Sequence, residues 1–464
     1  MFNYNQYIPQ PAFGFVHFEL FNRNKKVVLK TPSINEKLNS RIIEMQYTRN
    51  MANRANQLTF KLFDETWGEL EDDIIEIYRD DDSRLLLKYG WIGNDGEIYE
   101  SQYYSLSLTH IRPEFRIDGL ILTFDAISNV DDFFQNKFKY NTFALKEFAC
   151  RHLPYLNQYL KMDHKTSKVN ADLIERSPVS PSDVVKAFAI FKKFDYDIDE
   201  THIVLHHWSH TKTIRQPWVP PMNDVTIGSY IKDEILPISC GRNNKPGYYF
   251  WVEDGEERPK IIFKQMKESD DVLKYIYLRE ENSEVISFSP VLLGKFASLK
   301  TPSESMQYVD LQTGHKKIIL KHAERVNCGG NNHLPIDKIG GNYVTLKKRD
   351  NDTIPEKEKI AKNTHNIKDQ HHTLEMSEIK TAHSMIYDMN TTFEAELRII
   401  CNPKLNPYAT IYVEVPKPNG ELHYASGQYR ITEITDRYVN GVLESTIKLI
   451  RNSLLTQSQQ VVKD

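Results

Sequence analysis

The sequence predicts a mainly β protein with an α+β insertion. Three observations carry this: apolar and polar residues alternate in short runs near both ends of the chain, a helical period appears only in the middle, and 25 Tyr and 22 Phe favour strands and assembly surfaces. The pattern divides the 464 residues into an N-terminal arm (1–32), a first all-β unit (33–130) and a mixed α/β insertion (131–330). A polar loop or linker (331–385), a second all-β unit (386–452) and a tail (453–464) follow.

Residues 1–32 mix aromatic and polar side chains with Pro9 and Pro11 and read as an extended arm or edge segment. In QLTFKLFDE, Leu58, Phe60 and Leu62 share one strand face while Thr59 and Lys61 point the other way. Strand-like runs continue at 84–93, 103–111 and 119–127, with turns at Asn94-Asp95-Gly96 and Asp118-Gly119. Short strands at this spacing build a small antiparallel barrel or sandwich.

The period then changes. Ser180 is a good N-cap, Pro181 suits the first helical position and Asp183 the positive helix end. Val184, Ala187, Phe188 and Phe191 follow as an apolar stripe. Residues 224–236 form a second candidate helix, with Ile227, Tyr230, Ile231 and Ile235 on one side. A hairpin joins 247–255 to 259–265, and a further one pairs 273–280 with 283–290 across Glu281-Asn282. The insertion is free to contribute strands to the second unit. In the closing run 441–452, Leu443, Ile447 and Leu449 face one way, with Glu444, Thr446 and Lys448 opposite. No tandem sequence repeat stands out.

Composition narrows the function classes. A net charge of -4 without a basic stripe argues against a nucleic-acid binder. Cys150, Cys240, Cys328 and Cys401 lie far apart, which reads as reduced thiols in a protein folded in the cytosol. The N-terminus lacks a signal-peptide pattern and no run has the ~18 apolar residues of a membrane span, so export is expected by lysis or within an assembly.

Candidate chemistry is sparse. His202, His206 and His210 have zinc-ligand spacing if helical, but Ile203, Val204, Leu205 and Trp208 suit a strand equally, and no HExxH supplies a general base. Satisfied or exposed histidines account for them as well. Cys328 and His333 flank a glycine-rich turn, too close in sequence for a cysteine hydrolase layout. Glu71-Asp72-Asp73 and Asp80-Asp81-Asp82 lack calcium-loop spacing and read as a solvated face or edge protection. No catalytic residue, cofactor site or metal site is assigned.

The second unit carries a recognisable pattern. A strand ends at Asn402 and Pro403; Ser426, Gly427, Tyr429 and Ile431 open another; Gly441, Leu443 and Thr446 mark a turn and its return; Leu449, Arg451 and Asn452 close it. This resembles the closing domain of phage baseplate hub proteins, a family related to the hub part of type VI secretion spikes, with Asn402 where the usual turn has glycine. Residues 55–66, LLLKYGWI and 119–128 resemble that family's first barrel. The segments around 224–241, 247–255 and 285–294 resemble its insertion.

The resemblance implies two tube-like antiparallel β-barrels per chain and a homotrimer that presents six similar barrels around an axis. It implies an adaptor between a hexameric tail tube and a central spike, touching other baseplate proteins, assembled in the host cytoplasm and resident in the virion tail. DNA would be only passing cargo, in a lumen suited by the slight acidity. It carries over no enzyme activity and no membrane anchor. The alternatives are a receptor- or carbohydrate-binding baseplate component and a wall-degrading tail-associated enzyme.

Overall fold

The computed structural model describes residues 11–21, 27–30, 41–51, 55–65, 77, 83–94, 96–128, 137–140, 142–161, 170–201, 222–239, 241, 248–265, 272–277, 284–292, 307–309, 316–318, 323–325, 344–346 and 393–451. The N-terminal part holds β1 (Pro11–Phe21), β2 (Val27–Lys30), β3 (Ile42–Asn50), β4 (Gln57–Asp64), β5 (Arg84–Gly93), β6 (Ile98–Glu100), β7 (Tyr104–Arg116) and β8 (Gly119–Ser128). The middle holds β9 (Lys137–Tyr140), α1 (Thr142–His152), α2 (Ala171–Arg176), α3 (Pro181–Lys192), β10 (Asp195–Ile198), β11 (Met222–Thr226), β12 (Tyr248–Glu253) and β13 (Lys260–Gln265). Next come β14 (Leu273–Ile276), β15 (Val285–Leu292) and two short hairpins, β16 (Gln307–Val309) with β17 (Lys316–Ile318) and β18 (Ala323–Arg325) with β19 (Val344–Leu346). The chain ends in β20 (Phe393–Ile400), β21 (Thr410–Glu414), β22 (Gly427–Val439) and β23 (Val442–Arg451).

The fold is mainly β, and helices α1, α2 and α3 lie in the insertion. The two β units are not separate sheets. One sheet of 14 strands runs β15-β20-β23-β22-β3-β4-β8-β7-β5-β1-β2, with β6 on β5, β21 on β22 and β14 on β21. It wraps two cores, one around Phe18, Met45, Phe60, Tyr89 and Phe124, the other around Leu397, Ile411, Tyr429, Ile431 and Ile447. Continuity comes from the length of β22: its first half pairs with β21, and Glu433–Val439 pairs with β3.

Two expectations change. Residues 11–21, read as an arm or edge segment, form a strand bonded to both β5 and β2, because Phe15, Val16, Phe18 and Leu20 are buried. The hairpin expected between 273–280 and 283–290 does not form: β14 pairs parallel with β21 and β15 antiparallel with β20, which buries Tyr275 and Val285 in the C-terminal core. Of the stretch 331–385, read as a polar loop or linker, Val344–Leu346 forms β19 and the rest lies outside the described residues.

In the insertion, Ser180 and Asp183 make the reciprocal capping bonds that start α3, and Val184, Val185, Ala187 and Phe188 are buried. Phe191 is not buried with them; it sits at the helix end, 47% exposed, against Phe148 and His152. The second helical segment starts at Ile227 rather than Asp224, because Thr226 caps it and Met222–Thr226 is strand β11. Hairpin β12–β13 forms, with β10 added parallel on β13.

The two β units repeat one module, residue for residue. In the N-terminal module the order is β3-β4-β8-β7-β5; in the C-terminal module it is β15-β20-β23-β22-β21. Strands β7 and β22 each have 13 residues, β8 and β23 each have 10, and both hairpins close over two residues, Arg116 facing Gly119 and Val439 facing Val442. Each hairpin has one bulge at the same distance from its turn, at Thr109 and at Thr432. The flanking strands keep register too. Arg84 faces Ser107 as Thr410 faces Arg430, and Ile42 faces Leu62 as Val285 faces Ile399, each of the latter pairs next to a second bulge.

Candidate functional site at the junction of the modules

Where β3 meets β22, the inward row is not wholly apolar. Arg49 on β3 and Asp436 on β22 form an ion pair at 2.8 Å, with 4% and 0% side-chain exposure. Asp436 also accepts from the hydroxyls of Tyr89 and Ser445, and the Cys401 thiol lies 3.5 Å away. The other guanidinium nitrogen of Arg49 donates to Tyr104 Oη at 3.2 Å and Asn406 Oδ1 at 3.1 Å. One arginine thus ties both modules to the loop between β20 and β21. Burial pushes the Tyr89 hydroxyl and the Cys401 thiol well above their ordinary ranges, so both stay protonated as donors.

A second buried carboxylate anchors the insertion. Asp254, in the β12–β13 turn, accepts from Tyr47 Oη and Asn56 Nδ2, each at 2.8 Å, and from the Ser128 hydroxyl. Gln102 Nε2 donates to the Asp254 carbonyl at 3.0 Å, and Ser105 N–H donates to the Gly255 carbonyl at 3.0 Å. Burial raises the Asp254 pKa against the lowering effect of its bonds from Ser128, Asn56 and Tyr47. Beside it, Trp251 stacks on Tyr408 at 4.4 Å, and the Arg430 guanidinium lies 4.4 Å from the same Tyr408 ring. A small cleft between Arg49, Tyr104, Trp251, Asp254 and Asn406 marks where barrel, barrel and insertion meet.

The residues singled out from sequence fall in two places. Ser426, Gly427, Tyr429 and Arg451 come together at the far end of the C-terminal barrel. Arg451 donates to the carbonyls of Tyr424 at 2.7 Å, Ala425 at 3.2 Å and Ser426 at 2.9 Å, and its guanidinium lies 4.7 Å from the Tyr429 ring. Tyr429 Oη donates to Ala425 O at 2.6 Å, and Ser426 Oγ accepts from Val415 N–H at 2.9 Å. Gly427 takes φ 142, where a side chain is strained. These residues lock a corner rather than form a reaction centre.

The others stand apart. Asn402 caps the turn that holds the buried Pro403, accepting from Lys404 N–H at 3.2 Å and contacting Tyr275 Oη at 3.3 Å. Gly441 forms the hairpin turn with Asn440, and Thr446 sits on β23 opposite Arg398 and Thr435. His202, His206, His210, Cys328, His333 and both acidic runs lie outside the described residues. Among the described residues, no group of three His, Cys, Asp or Glu side chains could hold a metal. Nor is any described helix long and apolar enough to cross a membrane. Arg49, Asp254 and Asp436 were not singled out from sequence. The available signal was Asp436 itself, a charge between Ile434 and Tyr438 on an otherwise apolar row.

No protein-family model matches the chain, and no curated protein matches it. Among solved structures, the chain is similar to a tail protein from Neisseria meningitidis MC58, at 8% identity and TM-score 0.42, over 94% of this chain and 97% of that one. It is similar to the 43 kDa tail protein of prophage MuSo2 from Shewanella oneidensis, at 8% identity and TM-score 0.44, over 94% and 97%. It is also similar to the E. coli c3393 protein, a type VI secretion component described as resembling the T4 tail proteins gp27 and gp5. That match has 7% identity and TM-score 0.39, over 89% of this chain and 74% of that one.

Proposed function

We propose that this chain is a structural hub of a phage-type tail: a homotrimer that joins a six-fold tube to a three-fold spike and helps the tail assemble and cross the cell envelope. The observation that carries the reading is the repeat, two five-stranded modules in one register within one chain. Three such chains offer six near-equivalent modules to a six-fold partner and three equivalent insertions to a three-fold one. The hub signature residues support it by building the corner at Arg451. The buried Arg49–Asp436 and Asp254 clusters support it by fixing modules and insertion as one body, which an adaptor under load requires.

In this reading the chain has no catalysis of its own and acts in the virion tail. Native mass spectrometry of the full chain at micromolar concentration tests it. A trimer, with a ring of quasi-six-fold symmetry in electron micrographs, is the expected result. A stable monomer, or turnover of peptidoglycan by the purified chain, would overturn it.

A further inference from the structure

One hydrogen bond at the corner of the C-terminal barrel exists in only one protonation state of its acceptor. The Ala425 N–H donates to His423 Nδ1 at 3.2 Å. A backbone amide can only donate, so Nδ1 carries no proton and the imidazole is neutral, with its hydrogen on Nε2. Protonation fills Nδ1 and turns that acceptor into a donor. Ala425 is 1% exposed, so water cannot replace the lost acceptor unless the turn opens. Two more backbone bonds close the turn on the same residue: His423 N–H donates to Val415 O at 2.9 Å, and Ser426 N–H donates to His423 O at 2.8 Å.

The turn also covers a buried charge. Arg451, the last residue of β23, is surrounded among the described residues by the carbonyls of Tyr424, Ala425 and Ser426 and by the rings of Tyr429 and Phe393, not by a carboxylate. Ala425 is therefore held from both ends, its N–H by His423 and its carbonyl by Arg451 and by Tyr429 Oη at 2.6 Å. The His423 ring lies 4.1 Å from the Tyr424 ring, and Tyr424 O accepts from Arg451. On the preceding stretch of the loop, Lys417 pairs with Glu421 at 3.2 Å, so the nearby carboxylate is already engaged. Burial, then Lys417 and Arg451, hold the His423 ring below the ordinary 6.5. Tyr429, pushed up to about 12 by burial, stays neutral beside them.

We infer that His423 is a proton-operated latch on the loop between β21 and β22: the neutral ring holds the turn 423–426 shut over Arg451, and acid opens it. Protonation acts on the turn in two ways at once. The buried Ala425 N–H loses its acceptor, and a second positive charge enters beside one that has carbonyls and rings around it but no carboxylate. The strands on either side keep their own ladder, Thr410–Val413 with Gly427–Arg430, so the opening is local. Its pH range follows from the same groups. The open turn leaves the ring at the ordinary 6.5 and the closed turn holds it lower. Closure is therefore complete above 6.5, weakens as pH falls through that value and levels off below the closed-state one. One pKa unit is a factor of ten, so the rise in opening at the acid plateau is ten raised to the difference between the two values.

Two measurements on the full-length chain have to agree. Exchange of the imidazole C2 hydrogen, followed by mass spectrometry across pH, gives the pKa of His423 in the closed protein. Amide exchange of the peptide spanning residues 415–426, corrected for the intrinsic rate, gives the opening. The expected result is a pKa below 6.5 and an acid rise in exchange of the matching size. His423→Asn is expected to keep the turn closed and to abolish the acid rise, because an Asn side-chain carbonyl accepts from the N–H two residues on at any pH. His423→Phe keeps a ring but removes the acceptor, and is expected to leave the turn open at neutral and acid pH alike. A His423 pKa at or above 6.5, corrected exchange that stays flat with pH in the unmodified chain, or an acid rise that persists in His423→Asn would each overturn the latch. Should His423→Phe fail to fold, the unmodified chain and His423→Asn decide between these outcomes.

Discussion

Thr109 and Thr432 perform the same act in two different barrels. Each occupies the bulge of its hairpin, and each donates its hydroxyl to the backbone carbonyl on the facing strand, Thr109 to Asp125 O at 3.0 Å and Thr432 to Lys448 O at 3.1 Å. A bulge leaves one residue out of the ladder, and the hydroxyl bonds to the carbonyl across the break. Thr109→Val and Thr432→Val remove equal bonds from equal places. Each is expected to cost about 1 kcal/mol, and because they share no partner the costs should add. Urea midpoints of the two single variants and the double variant check this.

The Arg49–Asp436 pair predicts a larger and non-additive response. Removing one member of a buried pair leaves an uncompensated charge, at about 3–5 kcal/mol. Arg49→Met also removes the bonds to Tyr104 and Asn406, so it should loosen the β20–β21 loop as well as the junction. Arg49→Met combined with Asp436→Leu should cost less than the two single changes added together, because no charge is left alone. A double-mutant cycle by chemical denaturation, with hydrogen exchange at the Asn406 loop, measures both effects.

Much of the fold was legible in the sequence, because strand alternation is a local signal. Leu58, Phe60 and Leu62 are all buried, and Ser180 and Asp183 cap α3. The repeat was not legible. Aligned by register, the hairpins share Thr109 with Thr432, Ile111 with Ile434, Leu120 with Leu443, Thr123 with Thr446 and Ile127 with Ile450, and little else. The turn signals mislead as well. Asp118-Gly119 and Asn440-Gly441 look like matching turns, yet the residues closing the hairpins are Ile117-Asp118 and Asn440-Gly441, one step out of phase. Barrel closure was hidden for a different reason: Arg49 and Asp436 meet only through non-local strand pairing, which periodicity does not report.

Two carboxylates at the junction give opposite pH dependences. Glu44 accepts from Lys61 Nζ at 2.9 Å and from Arg437 at 2.9 and 3.1 Å; the Lys61 bond, with Arg437, lowers its pKa below the ordinary 4.5 despite partial burial. Its contribution is therefore complete above that value and is lost as pH falls through the lowered one. Asp254 has its pKa raised above 3.8 by burial, so the folded state binds that proton more readily and acid relieves its desolvation cost. Glu44→Gln is expected to flatten the loss of stability below about pH 4.5, while Asp254→Asn should steepen it by removing the compensating term. Guanidinium midpoints between pH 3 and 7 decide both signs.

The last contact to close the N-terminal barrel is made by backbone, and glycines permit it. Gly14 of β1 donates its N–H to the Gly441 carbonyl at 2.8 Å. A Cβ on Gly14 would lie 2.9 Å from that carbonyl oxygen, in a place backbone cannot yield. A Cβ on Gly441 would lie 2.8 Å from the Phe13 ring, and Gly441 also sits at φ 87. Gly420, at φ 84, has open space around it. The three positions separate the two costs. Gly420→Ala should lose about 1 kcal/mol from backbone conformation alone. Gly14→Ala should lose about 1–3 kcal/mol from overpacking alone, and Gly441→Ala should lose both. If β1 is what closes the barrel, Gly14→Ala and Gly441→Ala should also speed hydrogen exchange along β1, while Gly420→Ala leaves it unchanged. Equal protection of β1 in all three variants would show that β5 and β2 hold the strand without the Gly14–Gly441 contact.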